Sequence, residues 1–119
     1  MLLNLTVPRI NDYMTTAIVD TIYSSEGEAL PVGTKLFDLT IDLSRAVAHD
    51  CPPISYFRVV LRERAWLRRL SIAEGDEPAT GEPLALFSTE PDESLDAPAA
   101  RPVRVAIAAI LHQPSRDPS

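Results

Sequence analysis

The first regular pattern in the chain is an alternation along residues 16–23. Ala17, Val19 and Thr21 fall on one side of an extended chain, and the residues between them fall on the other. A period of two is typical of a strand with one buried face, whereas a helix would repeat about every 3.6 residues. The pattern therefore predicts a β-strand.

Four further segments have β character. They are residues 35–43, 54–72, 83–87 and 103–111. Residues 54–72 could form one bent strand or two strands. Residues 103–111 begin with the alternation of a strand but end in alanines that also suit a short helix, so both alternatives stay open. Taken together, the segments predict an all-β chain.

Two segments of the chain share one glycine pattern. Residues 26–36 read E-G-E-x-x-x-x-G-x-x-L, and residues 74–84 read E-G-D-x-x-x-x-G-x-x-L. They contain all four glycines of the chain. The duplication is interpreted as an internal repeat, which predicts two related halves. We interpret the glycines as turn residues and expect Gly33 and Gly81 to have positive φ or to allow close backbone approach.

Three stretches lack strand periodicity. Cys51-Pro52-Pro53 cannot continue a ladder of hydrogen bonds, so residues 44–53 are expected to include an exposed loop. Residues 88–102 are acidic and rich in alanine and proline, a composition typical of a flexible linker. Residues 112–119 are expected to be a disordered tail.

Length and charge narrow the class of protein. The 119 residues, 45% of them hydrophobic, suit one domain with a modest core. The net charge of −6 means that the phosphates of nucleic acids and anionic membranes would repel the average surface. We therefore predict a protein or small-molecule partner, with no nucleic acid and no membrane.

The cysteine and histidine content excludes two kinds of site. A single cysteine, Cys51, cannot form an intramolecular disulfide, and one cysteine with two histidines gives no repeated pair of zinc ligands. The first residues show neither a cationic leader nor a long apolar run. A cytoplasmic protein without a metal is the expectation.

At this point residues 7–87 resemble the biotinyl and lipoyl attachment domains. Val7-Pro8-Arg9-Ile10 is similar to the opening strand of that family, and the two glycine segments are similar to its paired turns. The resemblance implies a flattened β-barrel or sandwich of two pseudo-symmetric four-stranded halves. In this chain the domain would span residues 1–87, with an enlarged central hairpin and a C-terminal extension.

The resemblance also shows which chemical group is missing. In that family a lysine, preceded by aspartate at the tip of the central hairpin, is acylated by lipoate or biotin. Counting from Leu36 puts the aspartate at Asp42 and the lysine at Leu43. Leucine has no amine to attack an acyl-adenylate, so attachment at this position is chemically impossible. We therefore predict no cofactor.

Two other residues are alternative candidates for the attachment site. Lys35 is the only lysine, but it lies beside the Gly33 turn and is interpreted as a solvated surface residue. Ser44 lies in an Asp-Leu-Ser sequence, which has the wrong order for the Asp-Ser-Leu of phosphopantetheinyl carriers. Neither replaces the missing lysine.

The spacing of the two glycine segments departs from the family. Gly27 and Gly75 are 48 residues apart, which is longer than expected for a compact lipoyl domain, and the surplus falls in residues 46–63. We hypothesise that residues 54–63 form an added strand or extended hairpin. Residues 103–111 are then expected to pair beside it.

Other candidate chemistry has a plainer interpretation. His49-Asp50-Cys51 combines reactive side chains, but no second motif surrounds it, so an exposed loop is preferred to a catalytic site. Trp66 could be a ligand platform, although a lone tryptophan in a strand usually packs. The arginines of residues 54–72 are either solvated or form a basic face for an acidic surface. The possible partner-binding residues are Arg58, Arg62, Arg64 and Arg68.

Together these observations favour a noncatalytic, lipoyl-like protein-interaction or assembly module. By analogy, its partner would belong to a lipoyl- or biotin-dependent multienzyme system, and the acidic residues 90–96 are an alternative target for the arginines. A second hypothesis is an atypical carrier modified at Lys35. A third is a lysine-free lipoyl-like domain of the membrane-fusion adaptor type, which would require a secretion signal and long coiled-coil helices.

Overall fold

The structure, a computed structural model, describes residues 1–44 and 54–111. These residues form strands and no helix, which confirms the all-β prediction. The strands are β1 (Leu2–Thr6), β2 (Ile18–Ile22), β3 (Ala29–Leu30), β4 (Lys35–Asp42), β5 (Ile54–Leu61), β6 (Ala65–Leu70), β7 (Pro83–Ser88), β8 (Arg101–Pro102) and β9 (Val105–Ile110).

The strands form two sheets. One has five strands in the order β3-β6-β7-β1-β8, and the other has four in the order β2-β4-β5-β9. The sheets are not closed into a barrel, so the barrel alternative is wrong and the sandwich alternative describes the fold. The physical reason lies in the C-terminal strands, because β8 adds to β1 and β9 adds to β5. Each of them extends its own sheet and does not bridge the two.

The core is formed by the side chains that the two sheets turn toward each other. Along β4, Leu39 and Ile41 point into it, and along β5 Val59 and Leu61 do so, all with at most 1% of their surface exposed. Phe37 and Phe87 are the largest fully buried side chains. Burying each such side chain contributes about 1.5–3 kcal/mol, so this alternation holds the sheets together.

The long segment 54–72 contains two strands. β5 ends at Leu61, and β6 begins at Ala65 in the other sheet, so the three residues between them carry the chain across the sandwich. β5 pairs with β4 from Lys35 to Asp42. Residues 54–61 therefore form a strand that pairs over the whole length of β4, and the idea that this segment is an addition to the family pattern stays a hypothesis.

The C-terminal segment forms a strand, and its predicted pairing is confirmed. β9 lies antiparallel to β5 over six residue pairs, from Tyr56 opposite Ile110 to Leu61 opposite Val105. The alanines that also suited a helix are held extended by this ladder of hydrogen bonds. Tertiary pairing thus decides what local propensity left open.

The two glycine segments make equivalent backbone contacts. The Gly27 amide donates to the Leu67 carbonyl at 2.7 Å, and the Gly75 amide, 48 residues later, donates to the Val19 carbonyl at 2.7 Å. All four glycines have φ between 90° and 94°, which confirms the expectation for Gly33 and Gly81. L-residues with a Cβ rarely adopt this conformation, so the turns require glycine.

Residues 89–100 contain no strand but contact the five-stranded sheet at several points. Arg68 donates to the Glu93 carbonyl at 2.7 Å, and the N-terminal ammonium forms an ion pair with the Glu93 carboxylate. The Ala100 amide donates to the Leu2 carbonyl at 2.8 Å, next to β8. The predicted linker therefore runs along this sheet.

Some predictions concern residues outside this description. The loop with His49, Asp50 and Cys51 and the tail at 112–119 both fall there. Nowhere in residues 1–44 and 54–111 is there a helix long and apolar enough to cross a membrane.

Candidate functional site

The position predicted to lack the attachment lysine lies at the end of β4. Leu43 follows Asp42, the last residue of the strand, and only 8% of its surface is exposed. It belongs to the core cluster, whereas Asp42 is exposed and its Oδ1 accepts a hydrogen bond from the Ser44 amide at 2.9 Å. The residue at this position therefore lacks an amine and is also turned toward the core.

An open cleft of about 510 Å³ lies beside Leu43. Its lining mixes hydroxyl, carboxylate and apolar side chains, and Thr16 Oγ1 donates to Glu77 Oε2 within it at 2.7 Å. The lining residues are Tyr13, Thr15, Thr16, Ile18, Asp42, Leu43 and Glu77. Across the part of the chain that the structure describes, no three His, Cys, Asp or Glu side chains converge to hold a metal ion.

A buried ion pair lies on the outer face of the four-stranded sheet. Asp38 on β4 is opposite Arg58 on β5, and Arg58 Nε donates to Asp38 Oδ1 at 2.8 Å. Only 2% of the Asp38 side chain is exposed, against 17% for Arg58. The Tyr23 hydroxyl donates to Asp38 Oδ2, and Arg58 Nη2 lies 3.2 Å from that hydroxyl oxygen. The three side chains satisfy one another's polar atoms.

The same cluster changes the protonation equilibria of its members. Partial burial raises the pKa of the Tyr23 hydroxyl, and its hydrogen bond to Asp38 raises that pKa further. The hydrogen bond to Asp38 also raises the pKa of the Arg58 guanidinium. Lys35 is exposed, and its Nζ lies 5.7 Å from the centre of the Tyr23 ring. The Tyr23 hydroxyl and the Arg58 guanidinium therefore keep their protons at neutral pH, which suits a structural role better than proton transfer.

The four arginines predicted to bind a partner do not form one face. Arg58 and Arg68 lie on strands of different sheets, and both take part in contacts within the chain. Arg68 reaches the acidic segment 90–96 through the Glu93 carbonyl and also donates to the Ser88 hydroxyl at 3.2 Å. Arg62 and Arg64 are exposed, so these two side chains are accessible at the surface.

Trp66 lies on β6 next to this exposed pair. The side chain is half-buried, and the guanidinium carbon of Arg64 lies 5.1 Å from the centre of its ring. A cation over an aromatic face is worth about 0.5–1 kcal/mol at an exposed site. Trp66 thus gives the Arg64 guanidinium an aromatic face to pack against.

A second ion pair links the connection between β5 and β6 to the C-terminal segment. Arg101 donates to both carboxylate oxygens of Glu63, at 2.7 and 2.8 Å, and the Arg104 amide donates to Glu63 Oε2 at 2.8 Å. The hydrogen bonds from Arg101, followed by that from the Arg104 amide, lower the pKa of Glu63 from 4.5 to about 2. Glu63 therefore anchors the segment that carries β8 and β9.

Sequence reasoning missed the partners of these charged residues. Asp38 lies in a run that is otherwise apolar or hydroxylic, and a lone acid there is a signal of a buried ion pair. Glu63 is the one acid in the arginine-rich residues 54–72. Its partner is 38 residues away, so the pairing appears only once the strand order is known.

No protein-family model matches this chain, and no curated protein matches it either.

Proposed function

We propose that this chain is a noncatalytic, lipoyl-like protein-interaction or assembly module. The observation that carries the proposal is Leu43, which falls where the resemblance puts the attachment lysine and lies 8% exposed at the edge of the core. An aliphatic side chain cannot be acylated, and this one belongs to the core cluster. The sandwich and the matching turns at residues 26–36 and 74–84 support the lipoyl-like fold on which the proposal is built.

The exposed arginines provide the contact surface in this proposal. Arg62 and Arg64 flank Glu63 between β5 and β6, and Trp66 holds the guanidinium of Arg64. The partner would present an acidic surface, and by analogy it would belong to a system that uses lipoyl or biotinyl carriers.

Intact-mass spectrometry of the protein purified from its native host tests the absence of attachment. We expect the unmodified mass. The alternative carrier function requires a lipoyl or biotinyl increment on Lys35, because this is the only side-chain amine in the sequence. A mass increment in the wild type that disappears in Lys35→Arg would overturn the proposal in favour of that carrier function.

Affinity purification from native extract tests the partner. We expect a specific partner that is recovered at low salt and lost as salt rises, because exposed charges are screened over about 10 Å at 0.1 M salt. Arg62→Glu/Arg64→Glu should abolish recovery. Arg9→Glu/Arg69→Glu, at two other exposed arginines, has the same net charge and should retain it. Equal recovery by both variants would contradict the proposed surface.

A further inference from the structure

One edge of the four-stranded sheet differs from every other edge in the described residues. The five-stranded sheet ends on β3 and β8, each only two residues long, and β8 contains Pro102. The edge at β2 is covered, because Val19 and Ala17 donate to the carbonyls of Asp76 and Pro78. β9 has six residues, and within residues 1–44 and 54–111 no hydrogen bond reaches its outer edge.

The hydrogen bonds at this edge can be assigned from the register of β9. The Arg62 amide donates to the Arg104 carbonyl, and the ladder continues along β9 without a bulge. Hydrogen-bonded and non-hydrogen-bonded pairs alternate in an antiparallel ladder. Val105, Ile107 and Ala109 therefore direct their N–H and C=O groups away from β5. These groups form a template for another strand.

The side chains at this edge are apolar on both faces. β9 reads Val-Ala-Ile-Ala-Ala-Ile, with no charge, no proline and no glycine. Ile107 pairs with the fully buried Val59, yet 37% of Ile107 is exposed. Natural edge strands are commonly protected by charge, proline or a bulge, and β9 has none of these.

From these features we propose that β9 pairs with β9 of a second copy of this chain, antiparallel and about a two-fold axis. The outward-directed residues fix the register, with Ile107 opposite Ile107 of the second copy and Val105 opposite its Ala109. Three hydrogen-bonded pairs would supply about six interstrand hydrogen bonds. The two four-stranded sheets would become one continuous sheet of eight strands.

The charge distribution favours a second copy as the occupant. The chain has 17 acidic residues and a net charge of −6, so two copies would repel each other over most of their surfaces. The surface around β9 is an exception, because residues 97–111 and the neighbouring strand β5 contain no acidic residue. In addition, a two-fold pairing of β9 places only apolar side chains opposite one another. This proposal stands whether or not the module function is correct.

Analytical ultracentrifugation over a range of concentrations tests the proposal, and we expect a monomer–dimer equilibrium. Ala109→Pro removes an outward N–H without removing a bond to β5, and it should weaken dimerisation roughly tenfold or more. Ala99→Pro, in an exposed segment without a strand, is the matched control and should dimerise as the wild type does. A wild type that stays monomeric at the highest attainable concentration, or a dimer equally stable in both variants, would overturn the proposal.

Disulfide trapping tests the register separately and does not depend on how Ala109→Pro folds. In a Cys51→Ser background, Ile107→Cys should form a covalent dimer under mild oxidation, because paired residues in a hydrogen-bonded site have Cα atoms about 5.5 Å apart, within disulfide range. Ala108→Cys should not, because the register places it opposite Ala106 of the second copy. Trapping at residue 108 in preference to 107 would contradict the proposed pairing.

Discussion

The turns at residues 26–36 and 74–84 have the same backbone contacts but different surroundings. In each turn, the first acid accepts a hydrogen bond from a strand amide near the other turn, Glu26 from Leu70 at 2.8 Å and Glu74 from Ile22 at 2.9 Å. The second acid of each turn accepts a hydrogen bond from the amide three residues before it. The two turns thus hold each other's strands.

The surroundings differ on the outer faces of the sheets. Near the first turn, Asp38 on β4 is paired with Arg58 on β5. The residue 48 positions after Asp38 is Leu86 on β7, which is paired with Asn4 on β1. The same place in the ladder therefore carries a buried ion pair in one sheet and an apolar residue opposite an amide in the other.

This difference shows that the turn and the outer face are set by separate residues. The turn is specified by glycine at positive φ and by an acidic side chain that accepts a hydrogen bond from a backbone amide. They place no condition on the side chains of the following strands. A shared glycine pattern is therefore evidence about folding and carries no information about a shared function.

The largest effect on stability is expected when the Asp38–Arg58 pair is replaced by the Leu86–Asn4 pair of the other sheet. Asp38→Leu should lower the free energy of unfolding by about 3 kcal/mol, because it leaves the Arg58 guanidinium without its partner. Asp38→Leu/Arg58→Asn reproduces the Leu86–Asn4 pair and should recover most of this loss. Urea unfolding of the two variants and the wild type measures both values. A double variant no more stable than Asp38→Leu would mean that the two outer faces are not interchangeable.

The next largest effect is expected at Glu63, which binds the C-terminal segment through Arg101 and the Arg104 amide. Glu63→Gln should destabilise the protein by about 2 kcal/mol at neutral pH, because the bonds from Arg101 and the Arg104 amide lose their charged acceptor. The measurement is urea unfolding at a series of pH values.

The pH dependence of this effect has a definite sign. Because folding lowers the Glu63 pKa from 4.5 to about 2, its contribution is fully present above pH 4.5 and is lost as pH falls through about 2. The difference between wild type and Glu63→Gln should therefore shrink over this interval. A difference that stays constant down to pH 2 would contradict the assignment of the low pKa to Glu63.

Features set by local sequence could be predicted, and features set by strand order could not. The alternation in residues 16–23 places β2, and the glycine pattern accounts for positive φ at Gly33 and Gly81. The environment of Arg58 depends on the register between β4 and β5, which no local pattern contains. For the same reason, the arginine-rich segment suggested one basic face although its strands belong to different sheets.

A smaller effect is expected at the glycines, and it should be equal in the two turns. Gly27→Ala and Gly75→Ala should each cost about 1–2 kcal/mol, because an alanine at φ above 90° is strained. A Cβ at either position meets no atom within 4 Å, so no steric clash adds to this cost. Thermal unfolding of the two variants provides the comparison. Asparagine at the same positions is the control and should cost less, because it tolerates the left-handed region better.

The smallest effect tests whether the acids of the two turns are equivalent. Glu26→Gln and Glu74→Gln each keep an oxygen for the strand amide but remove the charge, so each should cost about 0.5–1 kcal/mol in urea unfolding. The two values should agree, since the bonds from Leu70 and Ile22 differ by only 0.1 Å. Because the two acids bond different amides and share no partner, the double variant should show an additive loss. Clearly different losses of stability in the two single variants would mean that the residues around each turn affect its hydrogen bonds. Backbone similarity alone would then not make the two turns equivalent.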